Sequence, residues 1–216
     1  MRRVFFAAVF CGSVFCGAQS WAALAKVVPS LQSLQKIAFD QQEPLVIRWR
    51  AVTSAGRIYG PGAQHFLAQS MRRPEWFLRN AALVVVPYAH RKWAIRWSCR
   101  LLNDPSLVVR TAAVEALRKL HAKGARPELW QKLYAKQNFR HGYSLWIRQN
   151  IVKALSTMAT PKDEGRFVRI LSDRDRALRP LAIAALQKLA YLNYKTPAQW
   201  DSWWSKHQKL RLTSRP

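Results

Sequence analysis

Apolar residues recur along most of the chain at the three- and four-residue spacing that lines one face of a helix. The clearest stretch is DPSLVVRTAAVEALRKL, residues 104–120. Asp104 is placed to cap this helix, and Pro105 suits its first turn, where a missing N–H has no cost. No stretch shows a competing strand alternation, so the pattern predicts an all-α fold. The apolar residues of this first example are Val109, Ala113, Ala116, Leu117 and Leu120.

The same frame, with an arginine at its fourth position, occurs five times, at 45–58, 76–89, 107–120, 145–158 and 176–189. Self-similarity at a steady period of this size indicates stacked helical repeats. A second set of apolar-striped helices is predicted between the frames, at 31–40, 62–71, 93–103, 127–139 and 162–172. We therefore expect a right-handed α-solenoid of about five helix–turn–helix repeats, roughly 31–60, 61–91, 92–123, 126–159 and 161–191. The frame arginines are Arg48, Arg79, Arg110, Arg148 and Arg179, separated by 31, 31, 38 and 31 residues.

A last helix is predicted at 196–207, followed by a basic tail at 208–216. Thr196 to Gln199 fits a capping box with a proline at the first helical position. Trp200, Trp203, Trp204 and His207 then share one face. We expect this stripe to cap the exposed end of the stack, because terminal repeats need a cover for their apolar side. The alternative is an aromatic ligand platform.

The one irregular step, between Arg110 and Arg148, is caused by extra residues within 125–143. They either lengthen a helix or form a loop from Phe139 to Tyr143. Insertions in repeat proteins collect on one face and are often where binding occurs.

The first 22 residues have the order of a secretory signal. Arg2 and Arg3 precede an apolar stretch, and Ser20-Trp21-Ala22 offers small residues at the positions that a signal peptidase recognises. We expect cleavage after Ala22, a repeat domain over 23–207, and a periplasmic or secreted location. An uncleaved membrane anchor is the alternative, although the stretch is short beside the roughly 20 residues of a spanning helix.

Charge narrows the class of partner. The chain has 36 Lys and Arg against 11 Asp and Glu, a formal net charge of +25. Such a balance favours acidic proteins, anionic envelope polymers, nucleic acid or peripheral contact with an anionic membrane. Cys99 is the only cysteine after residue 22, so no internal disulfide is expected, and it is interpreted as a buried apolar residue.

The repeated frame resembles HEAT repeats, and in particular the short HEAT-like repeats named after phycobilisome lyases, as found in exported bacterial proteins. DPSLVVRTAAVEAL (104–117) and DRDRALRPLAIAAL (173–186) carry the resemblance, which extends over about 31–207. It implies a ladder in which a turn aspartate and the arginine six residues later join the repeats, matched here by Asp104 with Arg110 and Asp173 with Arg179. The other three frames have Gln42, Arg73 and Gly142 at the aspartate position, which puts pairing between repeats in question there.

We interpret the five arginines as structural joints, because every repeat needs the same joint whereas a reaction needs a single site. An arginine can donate up to five hydrogen bonds to turn carbonyls and carboxylates. The alternative is that Arg48, Arg79 and Arg148, which lack the aspartate, hold anions.

Catalytic signals are weak. The five histidines are scattered without metal-ligand spacing, and neither a phosphate loop nor a nucleophile elbow follows the signal. The paired acids at 163–164 and at 173 and 175 begin helices, where they complement the helix dipole. We therefore expect no catalytic residues, no metal and no cofactor.

Binding has better support in RKWAIRWSCR, residues 91–100. Its cations, with a neighbouring stripe of Trp93 and Trp97, fit phosphate neutralisation combined with base stacking. The alternative is an outer helix with a solvated basic face and tryptophans packed inward. The candidate anion-binding residues are Arg91, Lys92, Arg96 and Arg100.

Two functions follow as expectations. The first is an exported, non-enzymatic HEAT-repeat scaffold or adaptor that binds an acidic protein or envelope polyanion. The second is a nucleic-acid-binding protein similar to the DNA glycosylases built from HEAT-like repeats, which would need a cytoplasmic location and a carboxylate in a basic groove. A pigment-attaching lyase, implied by the name of the repeat family, is a weaker third.

Overall fold

The computed structural model describes the backbone of residues 28–213 and the side chains of residues 28–208. This part of the chain is mostly helical, which confirms the all-α prediction. The signal peptide expected over residues 1–22 lies outside the described residues, as do the last residues of the basic tail. None of the described helices combines the length and the apolar character that crossing a bilayer requires.

The helices follow the predicted alternation closely. Short 3-10 turns extend or precede several of them. In chain order they are α1 Leu31–Phe39, α2 Leu45–Tyr59, α3 Gln64–Arg72, α4 Trp76–Val85, α5 Arg91–Leu101, α6 Leu107–Lys119, α7 Arg126–Leu133, α8 Ile147–Met158, α9 Glu164–Ile170, α10 Arg179–Ala190 and α11 Pro197–Thr213.

The helices pack in consecutive pairs. Each odd-numbered helix from α1 to α9 packs on the even-numbered helix that follows it, and α2, α4, α6, α8 and α10 also contact one another in sequence. Small residues permit this close row: Ala51, Ala82 and Ala113 are buried three positions after their frame arginines. A Cβ on Gly56 would lie 2.3 Å from the Val85 side chain, so α2 and α4 touch there. The core therefore lies between the even-numbered row and the odd-numbered helices.

The extra residues of the long step form a loop, so the alternative of a lengthened helix is wrong. Helix α7 ends at Leu133, short of the expected 139, and a two-stranded hairpin follows, β1 Phe139–Arg140 with β2 Tyr143–Ser144. His141 and Gly142 at its tip have φ of 49° and 79°. Positive φ at both turn residues gives the twist that a two-residue hairpin needs.

One helix start differs from the prediction, and another agrees with it. Ser106, not Asp104, is the residue before α6, so Pro105 lies outside the helix. At α11 the capping box is confirmed: the Thr196 N–H donates to Gln199 Oε1 at 3.0 Å, and the Gln199 N–H donates to Thr196 Oγ1 at 3.4 Å. Helix α11 continues to Thr213, beyond the expected end at 207.

Candidate functional site

The frame arginines lie in the first turns of the even-numbered helices, and four of the five are buried. Arg79 shows the joint most fully. Its Nε and Nη2 donate to the two carboxylate oxygens of Asp104 at 2.7 and 2.9 Å. Its Nη1 donates to the carbonyls of Arg73 at 2.8 Å and Pro74 at 2.6 Å. One guanidinium thus ties the turn before its own helix to the turn of the next repeat.

Arg48 and Arg148 make the same joint. Arg48 donates to Glu75 at 2.9 Å and to the carbonyl of Ala38 at 3.0 Å. Arg148 donates to Asp173 at 2.6 and 3.3 Å and to the carbonyl of Leu133 at 2.9 Å. Because these arginines already hold carboxylates, the alternative that they are free to bind anions is wrong.

Arg110 differs because its partners are all neutral. It donates to Asn138 Oδ1 at 3.1 Å and to the carbonyls of Gln137, Asp104 and Pro105 at 2.7, 2.9 and 2.9 Å. Burial lowers the pKa of its guanidinium, with the charge of Asp104 opposing that shift. Arg110 therefore fixes the start of the inserted loop to the turn before α6.

The acids pair with a different arginine from the one that the resemblance implied. Each pairs with the arginine of the preceding even-numbered helix instead of the arginine six residues later. The Asp104 carboxylate is taken by Arg79, and only its backbone carbonyl accepts from Arg110. The Asp173 carboxylate is taken by Arg148. Arg179 is half-buried, and its Nε has no hydrogen-bond partner among the described residues. Three joints thus link an arginine to an acid that precedes the next even-numbered helix: Arg48 to Glu75, Arg79 to Asp104 and Arg148 to Asp173. Arg110 meets Asn138 instead of an acid.

Most acidic residues are at least partly buried. Of the 11 Asp and Glu residues of the chain, only Asp40 and Asp201 are exposed. Three of these acids, Glu75, Asp104 and Asp173, accept from frame arginines. A fourth, Asp163, accepts from Arg126 at 2.9 Å and from the Trp130 indole at 3.0 Å. The outward charge of the described surface is therefore overwhelmingly positive.

The joints keep their carboxylates ionised. Burial alone raises the pKa of Asp173, but hydrogen bonds from Arg148 and from the Asp175 N–H outweigh it and leave that pKa below its ordinary value. The pKa of Glu75 is lowered in the same way, with burial opposed by hydrogen bonds to its own backbone N–H and to Arg48.

The odd-numbered helices carry the densest positive surface. On α1, α3, α5, α7 and α9 every exposed charged residue is a cation, whereas the two acids of these helices, Glu128 and Glu164, are half-buried and buried. We call this surface the odd-helix face. Its exposed cations are Lys36, Arg72, Arg91, Lys92, Arg96, Arg100, Arg166 and Arg169.

Helix α5 places Lys92, Arg96 and Arg100 on the odd-helix face, and Arg91 donates to the carbonyls of Leu120 and His121 at the end of α6. The tryptophans point inward, since Trp93 is half-buried and Trp97 is 8% exposed. Guanidinium carbons of Arg72 and Arg100 lie 5.2 and 5.4 Å from the centre of the Trp97 ring. Trp97 is thus already in contact with cations of this protein.

A slot of about 470 Å³ opens between α7 and α9. Pro127, Trp130 and Tyr134 form its apolar wall, and Arg166 and Arg169 line it from α9. Tyr134 is 53% exposed. Neither arginine forms an ion pair within the described part of the chain. We call this cavity the α7–α9 slot.

A second cavity, of about 910 Å³, adjoins the α7–α9 slot and shares Tyr134 with it. The hairpin forms one side through Phe139 and Tyr143, and the exposed Arg174 and Arg176 lie on the other. Sequence reasoning named Arg148, which also lines the second cavity, but missed Arg166, Arg169, Arg174 and Arg176. The longer spacing between Arg110 and Arg148 was the signal that could have pointed to these cavities. The extra residues of that step form the hairpin, which lies beside the missed arginines.

The aromatic stripe of α11 packs on α9. Trp200 is buried, and a Cβ on Gly165 would lie 2.4 Å from the Trp204 ring. His207 stacks on Trp203 with ring centres 4.6 Å apart, and its Nε2 lies 3.5 Å from a carboxylate oxygen of Glu164. The stripe is therefore in contact with the last helix pair.

The remaining candidate chemistry is sparse in residues 28–208. No group of three or more His, Cys, Asp and Glu side chains there is placed to hold a metal ion. Burial, reinforced by Glu128, raises the pKa of the Cys99 thiol to about 12, so this thiol stays protonated at neutral pH.

No family model matches the sequence, and no curated protein matches it.

Proposed function

We propose that the chain is an exported, non-enzymatic scaffold, built as a right-handed α-solenoid of about five HEAT-like repeats and closed by α11. Its positive surface binds an acidic protein or an anionic envelope polymer. Support for the solenoid comes from the recurring frame, the consecutive helix pairs and the continuous contacts along the even-numbered row.

The observation that carries the binding function is the division of charge between interior and surface. Nine of the 11 acids are buried or half-buried, several of them on frame arginines, so few acids remain outside to neutralise the exposed cations. A surface of one sign raises the local concentration of an oppositely charged partner and speeds its association. The partner is therefore expected to be acidic.

The arginine joints support the scaffold role. Arg79 and Arg148 each make four hydrogen bonds and Arg48 makes two, and these bonds link neighbouring helix pairs. The carboxylates of Glu75, Glu115 and Asp173 all have lowered pKa values. Carboxylates of this kind are poorly matched to general acid–base catalysis near neutral pH.

The nucleic-acid alternative draws on the same charge but has less support at α5. Stacking of bases requires open aromatic faces beside the cations. Trp97 is nearly buried, with two guanidiniums near its ring, and it offers little ring surface to a base.

The test has two arms. The chain, tagged at its C-terminus and expressed in a bacterial host, is expected in the envelope fraction with Ala23 as its first residue. Full-length chain in the cytosol would contradict export. In the second arm, immobilised mature protein is incubated with nuclease-treated envelope extract. Acidic proteins or anionic polymers should be retained at low salt and released at high salt, whereas retention that survives high salt would contradict a charge-driven scaffold.

A further inference from the structure

The α7–α9 slot brings together a cavity, the exposed ring of Tyr134 and two arginines that form no ion pair within residues 28–208. We propose that this slot is the principal docking site of the partner and takes an acidic peptide segment with one aromatic or large aliphatic anchor side chain. The inference rests on the proposed function, since it specifies where and how an acidic protein would bind.

The shape of the slot favours an inserted side chain. Its volume of about 470 Å³ falls within the range of pockets that hold a small group, roughly 300–1,000 Å³. Apolar contact with the exposed Tyr134 and Pro127 would hold an aromatic or aliphatic anchor. A polymer without side-chain anchors would leave these walls unused.

The charge of the slot favours carboxylates beside that anchor, on the side that faces α9. Arg166 and Arg169 lie one helical turn apart on α9 and are exposed. The nearby Asp163 carboxylate is held by Arg126 and Trp130, so it does not neutralise them. The planar guanidinium fork suits bidentate contact with a carboxylate.

The walls are held in place before any partner arrives. The Trp130 indole donates to Asp163 at 3.0 Å, and its ring packs edge-on against Phe167 with centres 5.1 Å apart. Arg166 lies 5.5 Å from the centre of the Trp130 ring. A site that is already ordered loses less conformational entropy on binding than a flexible one.

The inserted loop extends the site. Tyr134 belongs to both cavities, and Arg174 and Arg176 line the second. Arg110 fixes the start of the loop through Asn138, and Arg148 fixes its end through Ser144 at 3.2 Å. A segment anchored in the slot can therefore continue along the hairpin past two further cations.

Helix α5 supplies a matched control. Lys92 and Arg96 are exposed on the same odd-helix face and, like Arg166 and Arg169, form no ion pair within residues 28–208. Replacing either pair by glutamine removes two positive charges. Only the α9 pair lines the slot.

The experiment measures binding of the mature chain to a fluorescein-labelled peptide of aspartates and glutamates with one central phenylalanine. The same peptide with serine in place of the phenylalanine is measured alongside, as is a single-stranded oligothymidine. We expect the double variant Arg166→Gln, Arg169→Gln to weaken phenylalanine-peptide binding about tenfold, the loss equivalent to about one charge-assisted contact. The Lys92→Gln, Arg96→Gln variant should weaken it less than about threefold. Circular dichroism checks that both variants remain folded.

The anchor is tested separately through Tyr134→Ser. This variant should lose affinity for the phenylalanine peptide and leave the weaker binding of the serine peptide nearly unchanged. Equal losses from the α5 and α9 variants would overturn the slot while leaving the proposed function standing. Oligothymidine that binds more tightly than the peptide, with the same dependence on α9, would overturn the acidic-peptide occupant. If neither anionic probe binds at low salt, the proposed function itself fails.

Discussion

Replacing Arg148 by methionine removes a guanidinium from a site where only 2% of the residue is exposed. Methionine fills much of the same volume but donates no hydrogen bond. The Asp173 carboxylate then loses bonds of 2.6 and 3.3 Å, and the carbonyl of Leu133 loses its bond of 2.9 Å. Phe139, whose ring centre lies 4.6 Å from the guanidinium carbon, loses its cationic neighbour.

The expected loss in free energy of unfolding depends mainly on the Asp173 carboxylate, which is left without its arginine. Breaking a buried ion pair by removing one partner costs about 3–5 kcal/mol. Asp173 keeps the hydrogen bond from the Asp175 N–H and lines an open cavity, so we expect the low end, about 3 kcal/mol. Arg110→Met provides the comparison, because that site is 3% exposed but its partners are neutral. Its expected cost is about 1–3 kcal/mol.

Urea unfolding followed by circular dichroism gives both free energies of unfolding. In the Arg148→Met background, Asp173→Asn should recover part of the loss, because the isolated charge is then removed. The single variant Asp173→Asn is measured as well. If the double variant Arg148→Met, Asp173→Asn loses as much stability as the two single variants together, coupling between these two residues is refuted. An Arg148→Met variant as stable as the original chain would refute the joint altogether.

Three further predictions concern other parts of the fold. Because the folded pKa of Asp173 lies below its unfolded value, the stability that this group contributes should be complete above about pH 4 and should fall as the pH drops through the folded pKa. Urea midpoints from pH 2 to pH 7 measure this dependence. The loss of stability at acid pH is expected to be smaller in Arg148→Met than in the original chain, and identical pH profiles for the two would contradict the linkage. The Cys99 side chain is half-buried, and its thiol has a pKa of about 12. It should therefore react with iodoacetamide at neutral pH far more slowly than an exposed cysteine peptide, as peptide mapping would show; rapid alkylation would contradict the raised pKa. Gly165→Leu should displace α11, because the position of its Cβ is already occupied by the Trp204 ring, and hydrogen exchange should rise in α11 while α2 and α4 stay protected; unchanged exchange in α11 would contradict the packing.

The helices were predictable because their signal is local. The apolar spacing and the five frame arginines place the even-numbered helices to within a few residues. The hairpin was harder to predict, since His141-Gly142 is an uncommon pair for a turn that needs two positive φ values. Nothing local shows that α7 stops at Leu133.

The arginine joints were not predictable from local sequence, because they pair residues that are far apart along the chain. The resemblance to HEAT-like repeats implied that Asp104 pairs with Arg110, yet the Asp104 carboxylate accepts from Arg79, which is 25 residues earlier. Glu75, the partner of Arg48, is not an aspartate and does not stand at the expected position. The α7–α9 slot is made by side chains of two helices and the residues that follow α7, so its assembly depends on packing that no single stretch encodes.

The central claim is that most acids are at least partly buried, three of them on frame arginines, and that this leaves a positive surface for an acidic partner. Fluorescence anisotropy of labelled poly-glutamate, titrated with the mature chain at salt concentrations of about 0.05 and about 0.3 M, tests it most directly. We expect binding at the lower concentration and affinity at least about tenfold weaker at the higher one. Undetectable binding at low salt, or affinity that stays the same at both concentrations, would contradict the account.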